Sequence, residues 1–291
     1  MITHAIEKAL TAKIGCVKMT GKPTGTHSIA NQFFIYETEK GTFFVKTRHG
    51  DNIEPFAAEA VALQLIDETK TVRVPLPHYY GYCDDECFLI LEYIELFPHT
   101  DTSMALLGEQ LANLHLQKKE KRFGFGYPNL VGPTPQLNDW HEDWGEFFRI
   151  QRLEPQLELI EFQYQDKELL SLAERLFERM PSFFQGINVT PSLLHGDLWV
   201  ANTATDKEGT PLLFDPASYY GHHEVDLSLM ELFGGFSPSF FEAYHRLIPK
   251  EEGFLKRQQL YRLYPLLNHY NLFGKNARAP CINTIFTLLD G

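Results

Sequence analysis

The chain has 291 residues, of which 44% are hydrophobic and 13% aromatic, a composition that supports one or two folded cores and excludes a disordered or low-complexity protein. Its formal net charge of -12 argues against a nucleic-acid partner, because an acidic surface repels a phosphate backbone. It does not exclude a phosphate-bearing small molecule, whose charge bound magnesium and a few lysines can offset locally. No apolar run is long enough to cross a bilayer, and Met1 to Glu7 lacks the basic region and apolar stretch of a secretory leader. The expectation is a cytoplasmic protein, monomeric or weakly dimeric, with no membrane partner, in which Cys16, Cys83, Cys87 and Cys281 are free thiols.

The first third reads as strands. Gln32 to Thr38 and Thr42 to Lys46 are β-branched and aromatic runs joined at Lys40-Gly41, the pattern of a hairpin. Pro55 then opens a helix whose apolar positions Phe56, Ala60, Leu63 and Ile66 recur at helical spacing. Phe88 to Leu91 reads as a short buried strand. Beyond it, Met104, Leu107, Leu111 and Leu114 mark a helix face, and further helices are expected over Phe147 to Ile160, Leu169 to Met180 and Phe254 to Phe273. The pattern predicts an α+β protein in two lobes: a small antiparallel sheet over residues 1–94, and a larger, mainly helical part over residues 95–291.

The chemistry is concentrated in His195-Gly196-Asp197-Leu198-Trp199-Val200-Ala201-Asn202. A loop that carries an aspartate five residues before an asparagine can aim the carboxylate at an acceptor hydroxyl while the amide oxygen faces a metal, the spacing used in protein-kinase catalytic loops. Leu212-Leu213-Phe214 then delivers Asp215 at the end of an apolar run. One carboxylate and one amide oxygen suit magnesium, which keeps its other positions for water and phosphate oxygens. Upstream, Lys46 closes the strand Phe43-Phe44-Val45 and Glu59 lies on the helix that follows, so the glutamate can steer the lysine toward α- and β-phosphates. Each of these residues alone has a plain structural explanation. Their order points to a protein-kinase-like fold using ATP and magnesium. No Gly-x-Gly-x-x-Gly precedes the hairpin; main-chain amides near Gly25 and the hydroxyls of Thr26 and Ser28 are the candidates for the phosphate loop.

Over nearly its whole length the sequence resembles the fructosamine (ketosamine) kinases, relatives of the aminoglycoside and choline kinases. The resemblance is carried by Phe43-Phe44-Val45-Lys46, Gln136-Leu137-Asn138-Asp139-Trp140, Asp143-Trp144-Gly145-Glu146-Phe147-Phe148, Leu194 to Trp199, Phe214-Asp215-Pro216-Ala217, Gly221 to Asp226 and Leu267-Asn268-His269. It departs at Thr24-Gly25-Thr26-His27, where the family shows a Gly-Gly pair. The resemblance implies ATP-dependent phosphorylation of the 3-hydroxyl of an amine-linked ketose, free or on a glycated protein lysine, with Asp197 as proton acceptor and Glu92, Tyr93, Ile94 and Glu95 along the adenine. It places Trp199 and His195 toward the acceptor, with Trp140, Trp144 and Arg149 as further pocket candidates. Asp226 is expected to brace the catalytic loop, and the His222-His223 pair to serve structure or substrate more than zinc. The competing readings are a choline- or aminoglycoside-type kinase, a nucleotide-binding pseudokinase and a metal-dependent hydrolase.

Overall fold

The computed structural model describes residues 2–16, the main chain of 24–27, and residues 31–83 and 85–290. Helix α1 (Ile2–Ala9) precedes five strands: β1 (Thr24–His27), β2 (Gln32–Thr38), β3 (Gly41–His49), β4 (Pro77–Cys83) and β5 (Glu86–Glu92). They form an antiparallel sheet in the order β1-β2-β3-β5-β4. The β2–β3 hairpin turns at the expected place, pairing Thr38 with Gly41 and Phe34 with Val45. Strand β4 has no counterpart in the sequence reading. It begins at a proline, contains Gly81 and carries exposed tyrosines, so it lacks the apolar run that reveals β5.

Strand alternation gives the sheet two faces. Phe43, Val45, Phe88 and Ile90 pack with Ile6, Leu10 and Cys16 beneath α1. Leu89 and Leu91 face the other way, into the main core with Phe56, Leu63 and Ile66 of α2 (Glu54–Thr69). This period of two puts Lys46, the residue after Val45, on the side of α2 and not under α1.

The rest of the chain is mainly helical: α3 (Asp101–His115), α4 (Trp144–Phe148), α5 (Glu154–Tyr164), α6 (Lys167–Arg179), α7 (Glu224–Phe233), α8 (Pro238–Leu247), α9 (Phe254–Phe273) and α10 (Arg278–Asp290). A π-type turn at Arg149–Leu153 joins α4 to α5, so the helix expected over Phe147 to Ile160 extends at both ends. Helix α9 matches its expected span despite Pro265 in its interior. Helix α7 was not anticipated, for a physical reason. Seven consecutive residues from Glu224 to Met230 are buried, two of them acidic, so there is no solvent face to impose a helical period. Helices α3 and α8 cross closely at Gly108, where a Cβ would come within 2.2 Å of the Phe240 carbonyl oxygen.

Three short antiparallel pairs complete the chain: β6 (Asn129–Val131) with β7 (Thr134–Gln136), β8 (Ser192–Leu193) with β11 (Tyr220–Gly221), and β9 (Thr203–Thr205) with β10 (Pro211–Leu213). The last two pairs bracket the His195–Asn202 and Phe214–Ala217 segments and hold them side by side.

Candidate active site

The catalytic-loop segment is fixed from beneath by one acid. Asp226, fully buried near the start of α7, accepts the His195 N–H at Oδ2 (2.8 Å) and the Gly196 N–H at Oδ1 (2.9 Å). His115 Nε2, from the end of α3, lies 3.2 Å from the same Oδ2. Burial pushes against the Asp226 charge, but the hydrogen bond and charge of His115, His195 and the Gly196 amide outweigh it and hold its pKa below the usual carboxylate value. Gly196 has φ +83, and a Cβ there would sit 2.1 Å from the Ala217 carbonyl oxygen, so the loop and the segment after Asp215 approach as only glycine permits.

His195 is itself completely buried. Its Nδ1 accepts the Asp197 N–H (3.3 Å), so Nε2 carries the proton that is donated to the Phe214 carbonyl (2.9 Å). The expectation that His195 faces the acceptor is therefore corrected: one ring nitrogen is occupied within the loop and the other ties the loop to Phe214, between β10 and Asp215. Asn202 Nδ2 donates to the Asp197 carbonyl (2.8 Å) and lies 3.4 Å from its carboxylate, which closes the five-residue turn.

Lys46 forms the opposite wall. Strand β3 runs on to His49, so Lys46 lies inside the strand and not at its end as the sequence reading had it. It is 2% exposed, yet its Nζ lies 2.6 Å from Glu59 Oε1 and 2.5 Å from Asp215 Oδ1. Burial disfavours the ammonium, but the two carboxylates outweigh burial and raise its pKa. Burial pushes Glu59 upward against the pull of Lys46. Asp215 adopts φ +58, a left-handed conformation costly for a residue with a Cβ and one that clusters at functional sites. Asp197 faces these groups, its pKa pushed up to about 6 by burial and then by the neighbouring Asp215 charge.

A strand lysine paired with a helix glutamate, an aspartate–asparagine loop and an aspartate two residues past the next strand are the parts of a protein-kinase-like cleft. A family model described as fructosamine kinase matches residues 2–290. The chain belongs to the fructosamine kinase family. It is 42% identical to the chloroplastic protein-ribulosamine 3-kinase of Arabidopsis thaliana, over 86% of this chain and 77% of that one. It is 37% identical to mouse ketosamine-3-kinase, over 97% and 99% of the two chains. Among solved structures, a protein of Thermobifida fusca described as a candidate fructosamine-3-kinase superposes with a TM-score of 0.88 at 28% identity, covering 99% of each chain. The α+β, protein-kinase-like two-lobe fold is thus that of this family.

In this fructosamine kinase family member the cleft has a volume of about 810 Å³, and Lys46, Glu59, Asp197, Trp199, Asn202 and Asp215 all line it. So do residues for which the sequence suggested no role in the site: Arg48, the turn of the β6–β7 hairpin and Phe273. The hairpin is held by polar contacts invisible to periodicity. Asn129 Nδ2 donates to the Ser218 carbonyl (2.8 Å), and Gln136 Nε2 donates to Asn129 Oδ1 (2.8 Å) and to the Ala217 carbonyl (3.1 Å).

Other expected positions fall elsewhere. Gly25 and Thr26 belong to β1, paired with Phe34 and Phe33, and are not in a loop; the Thr26 side chain and Ser28 lie outside the described residues. Glu92 ends β5 with its carboxylate on Arg73 (2.6 Å) and on the Leu76 amide (3.2 Å), and it continues through Tyr93, Ile94 and Glu95 into the connection to α3. Trp144 is buried in the core and donates to the Tyr261 hydroxyl (2.9 Å), Trp140 lies under Arg122, and Arg149 pairs with Glu154; none of the three lines the 810 Å³ cleft. His222, His223 and Glu224 gather their ligand atoms within 4.8 Å. Both Glu224 oxygens, however, take hydrogen bonds from the buried Arg257, and Nδ1 of each histidine is bonded to a tyrosine hydroxyl, Tyr261 or Tyr244. Burial lowers both histidine pKa values, that of His223 to about 3. A cation would sit beside the Arg257 charge, so the cluster reads as a structural network and not as a zinc site.

Proposed function

We propose that this protein is an ATP-dependent ketosamine 3-kinase, transferring the γ-phosphoryl group to the 3-hydroxyl of a ketose joined to an amine, either free or as a glycated lysine on a protein. The observation that carries this reading is the convergence of Lys46, Glu59, Asp197, Asn202 and Asp215 on one cleft, in a chain that is 42% identical to a named ribulosamine 3-kinase. Phosphorylation would mark the adduct for breakdown, a repair of glycated amines. A reducing compartment such as the cytoplasm suits a chain whose four cysteines form no disulfide.

Each residue has a distinct task. Lys46, aimed by Glu59, would hold the α- and β-phosphates; Asp197 would fix the acceptor hydroxyl in line with the γ-phosphorus and receive its proton. Because phosphoryl transfer is loose, positioning by Asp197 counts at least as much as its basicity. Magnesium fits the donor set: the Asn202 amide nitrogen is committed to Asp197, which leaves its amide oxygen, and Asp215 offers a hard carboxylate beside it. When bound there, the ion would neutralise charge on the β- and γ-phosphates. The division at residue 94 is proposed as the boundary between a nucleotide lobe and a catalytic lobe.

The test is ATP consumption across ribulosyl-lysine, fructosyl-lysine, choline and an aminoglycoside. Turnover of a ketosamine at least about tenfold above the others is expected; turnover of choline or the aminoglycoside alone would overturn the reading. Measurable transfer to any of them would end the pseudokinase alternative. The raised Asp197 pKa also predicts a pH limb. Asp197 works as the carboxylate, so kcat/KM should fall with slope one as pH drops through about 6. A flat profile between pH 5 and 7 would remove Asp197 from the proton-accepting role. Stability has the opposite sign: a raised carboxyl pKa favours folding at low pH, and that contribution is lost as pH rises through about 6.

A further inference from the structure

Beside the Asp197 loop the cleft continues into a row of aromatic rings, three of them exposed to solvent. It begins at Trp199, two residues past Asp197, which is 39% exposed. The ring of Phe233, 42% exposed at the end of α7, stands 6.1 Å from it. His269 on α9 follows at 5.6 Å, and Phe273, 63% exposed, at 5.3 Å from His269. Trp199 and Phe273 line the cleft, so the row is continuous with it.

The row is held in place by the main chain. Gly234 ends α7 at φ +72 and Gly235 follows at φ +91, where a Cβ would meet the Val200 side chain at 2.7 Å. That close approach brings the end of α7 against the catalytic loop and sets Phe233 beside Trp199. On α9, His269 Nδ1 donates to the Pro265 carbonyl (2.8 Å), so in the neutral ring Nε2 is a bare acceptor within the row. Large exposed aromatic patches mark binding surfaces more often than chance exposure.

We infer that Phe233, His269 and Phe273, continuing from Trp199, form a subsite for the amine-bearing arm of the acceptor: a secondary alkylammonium with an aliphatic stem, such as a modified lysine side chain. The inference rests on the ketosamine kinase reading. With Lys46 and Asp215 on the phosphate side and the sugar hydroxyl on Asp197, the arm must leave past Trp199. Ring faces attract the ammonium and cover its methylenes, and His269 Nε2 can accept its N–H. The subsite would favour adducts of lysine over adducts of small amines.

The experiment compares two acceptors, the ribulosyl adduct of Nα-acetyl-lysine amide and that of methylamine, in the wild type and in Phe233→Ala and Phe273→Ala. The two adducts share the ammonium and differ in the aliphatic stem, so the ratio of kcat/KM for the lysine adduct over the methylamine adduct should fall about tenfold in each variant as stem cover is lost. Phe273→Leu, which keeps apolar cover without a ring face, should fall in between. An unchanged ratio in both alanine variants overturns the subsite while leaving the kinase reading intact. A sugar-free probe, Nα-acetyl-Nε-methyl-lysine amide, tests the subsite by calorimetry without phosphoryl transfer. Binding weakened by Phe233→Ala supports it even if the wild type phosphorylates no ketosamine, a result that would overturn the kinase reading alone. Equal binding by wild type and variant, or none by either, counts against the subsite.

Discussion

Asp197→Asn is expected to lower kcat by about 10²–10⁴-fold, the usual contribution of a positioned general base, while ATP affinity stays within about twofold. The asparagine is nearly isosteric, and the Asp197 main chain keeps its hydrogen bonds to His195 and Asn202, so the loop is not expected to move. What is lost is the carboxylate that accepts the hydroxyl proton. The phosphate-side groups Lys46, Glu59 and Asp215 are untouched and retain nucleotide binding. Single-turnover kinetics with saturating acceptor, alongside calorimetry of nucleotide binding, separate the two effects. A kcat within a few-fold of the wild type would remove Asp197 from its role, and parallel loss of nucleotide binding would point to a collapsed loop.

The second large effect belongs to a residue that touches no substrate. Asp226→Asn should destabilise the protein by about 2–4 kcal/mol and reduce kcat even under conditions where it remains folded. The carboxylate takes the His195 and Gly196 amides on separate oxygens and shares one of them with His115. An asparagine offers one acceptor and turns its NH₂ toward a buried donor, leaving at least one N–H unpaired. Urea unfolding gives the stability change, and kcat measured well below the unfolding midpoint gives the positioning effect. Stability within about 0.5 kcal/mol together with unchanged kcat would show that the loop is held by other contacts. The depressed Asp226 pKa fixes the sign of the pH dependence. Its contribution is present above the unfolded-state value of about 4 and fades as pH falls further through the folded-state value.

Local sequence determined the parts with a strong period or a short-range grammar. The β2–β3 hairpin, helices α2, α3 and α9, and the loop from His195 to Asn202 were legible because alternation, helical spacing and the aspartate-to-asparagine interval are encoded within a few residues of one another. The order of Lys46, Glu59, Asp197, Asn202 and Asp215 was legible too, and so was the family. Tertiary structure decided what each group meets. Lys46 looked like a strand-end lysine in the sequence; only the sheet, with β3 continuing to His49 and α2 packed behind it, makes it a buried cation shared by two carboxylates 13 and 169 residues away in the chain. His195 reads as a substrate contact in the sequence, yet its Nδ1 takes the Asp197 N–H and its Nε2 donates to the carbonyl of Phe214, which lies 19 residues on. Trp144 looked like pocket and is core, while Phe273 looked like the end of a helix and is cleft. Helix α7 left no period over Glu224 to Met230, because all seven residues are buried and Glu224 and Asp226 are satisfied by His195, Gly196 and Arg257 from other elements. A residue's chemistry is written in the chain, but its exposure, protonation and partners depend on contacts across long sequence separations, and those exist only once the chain is folded.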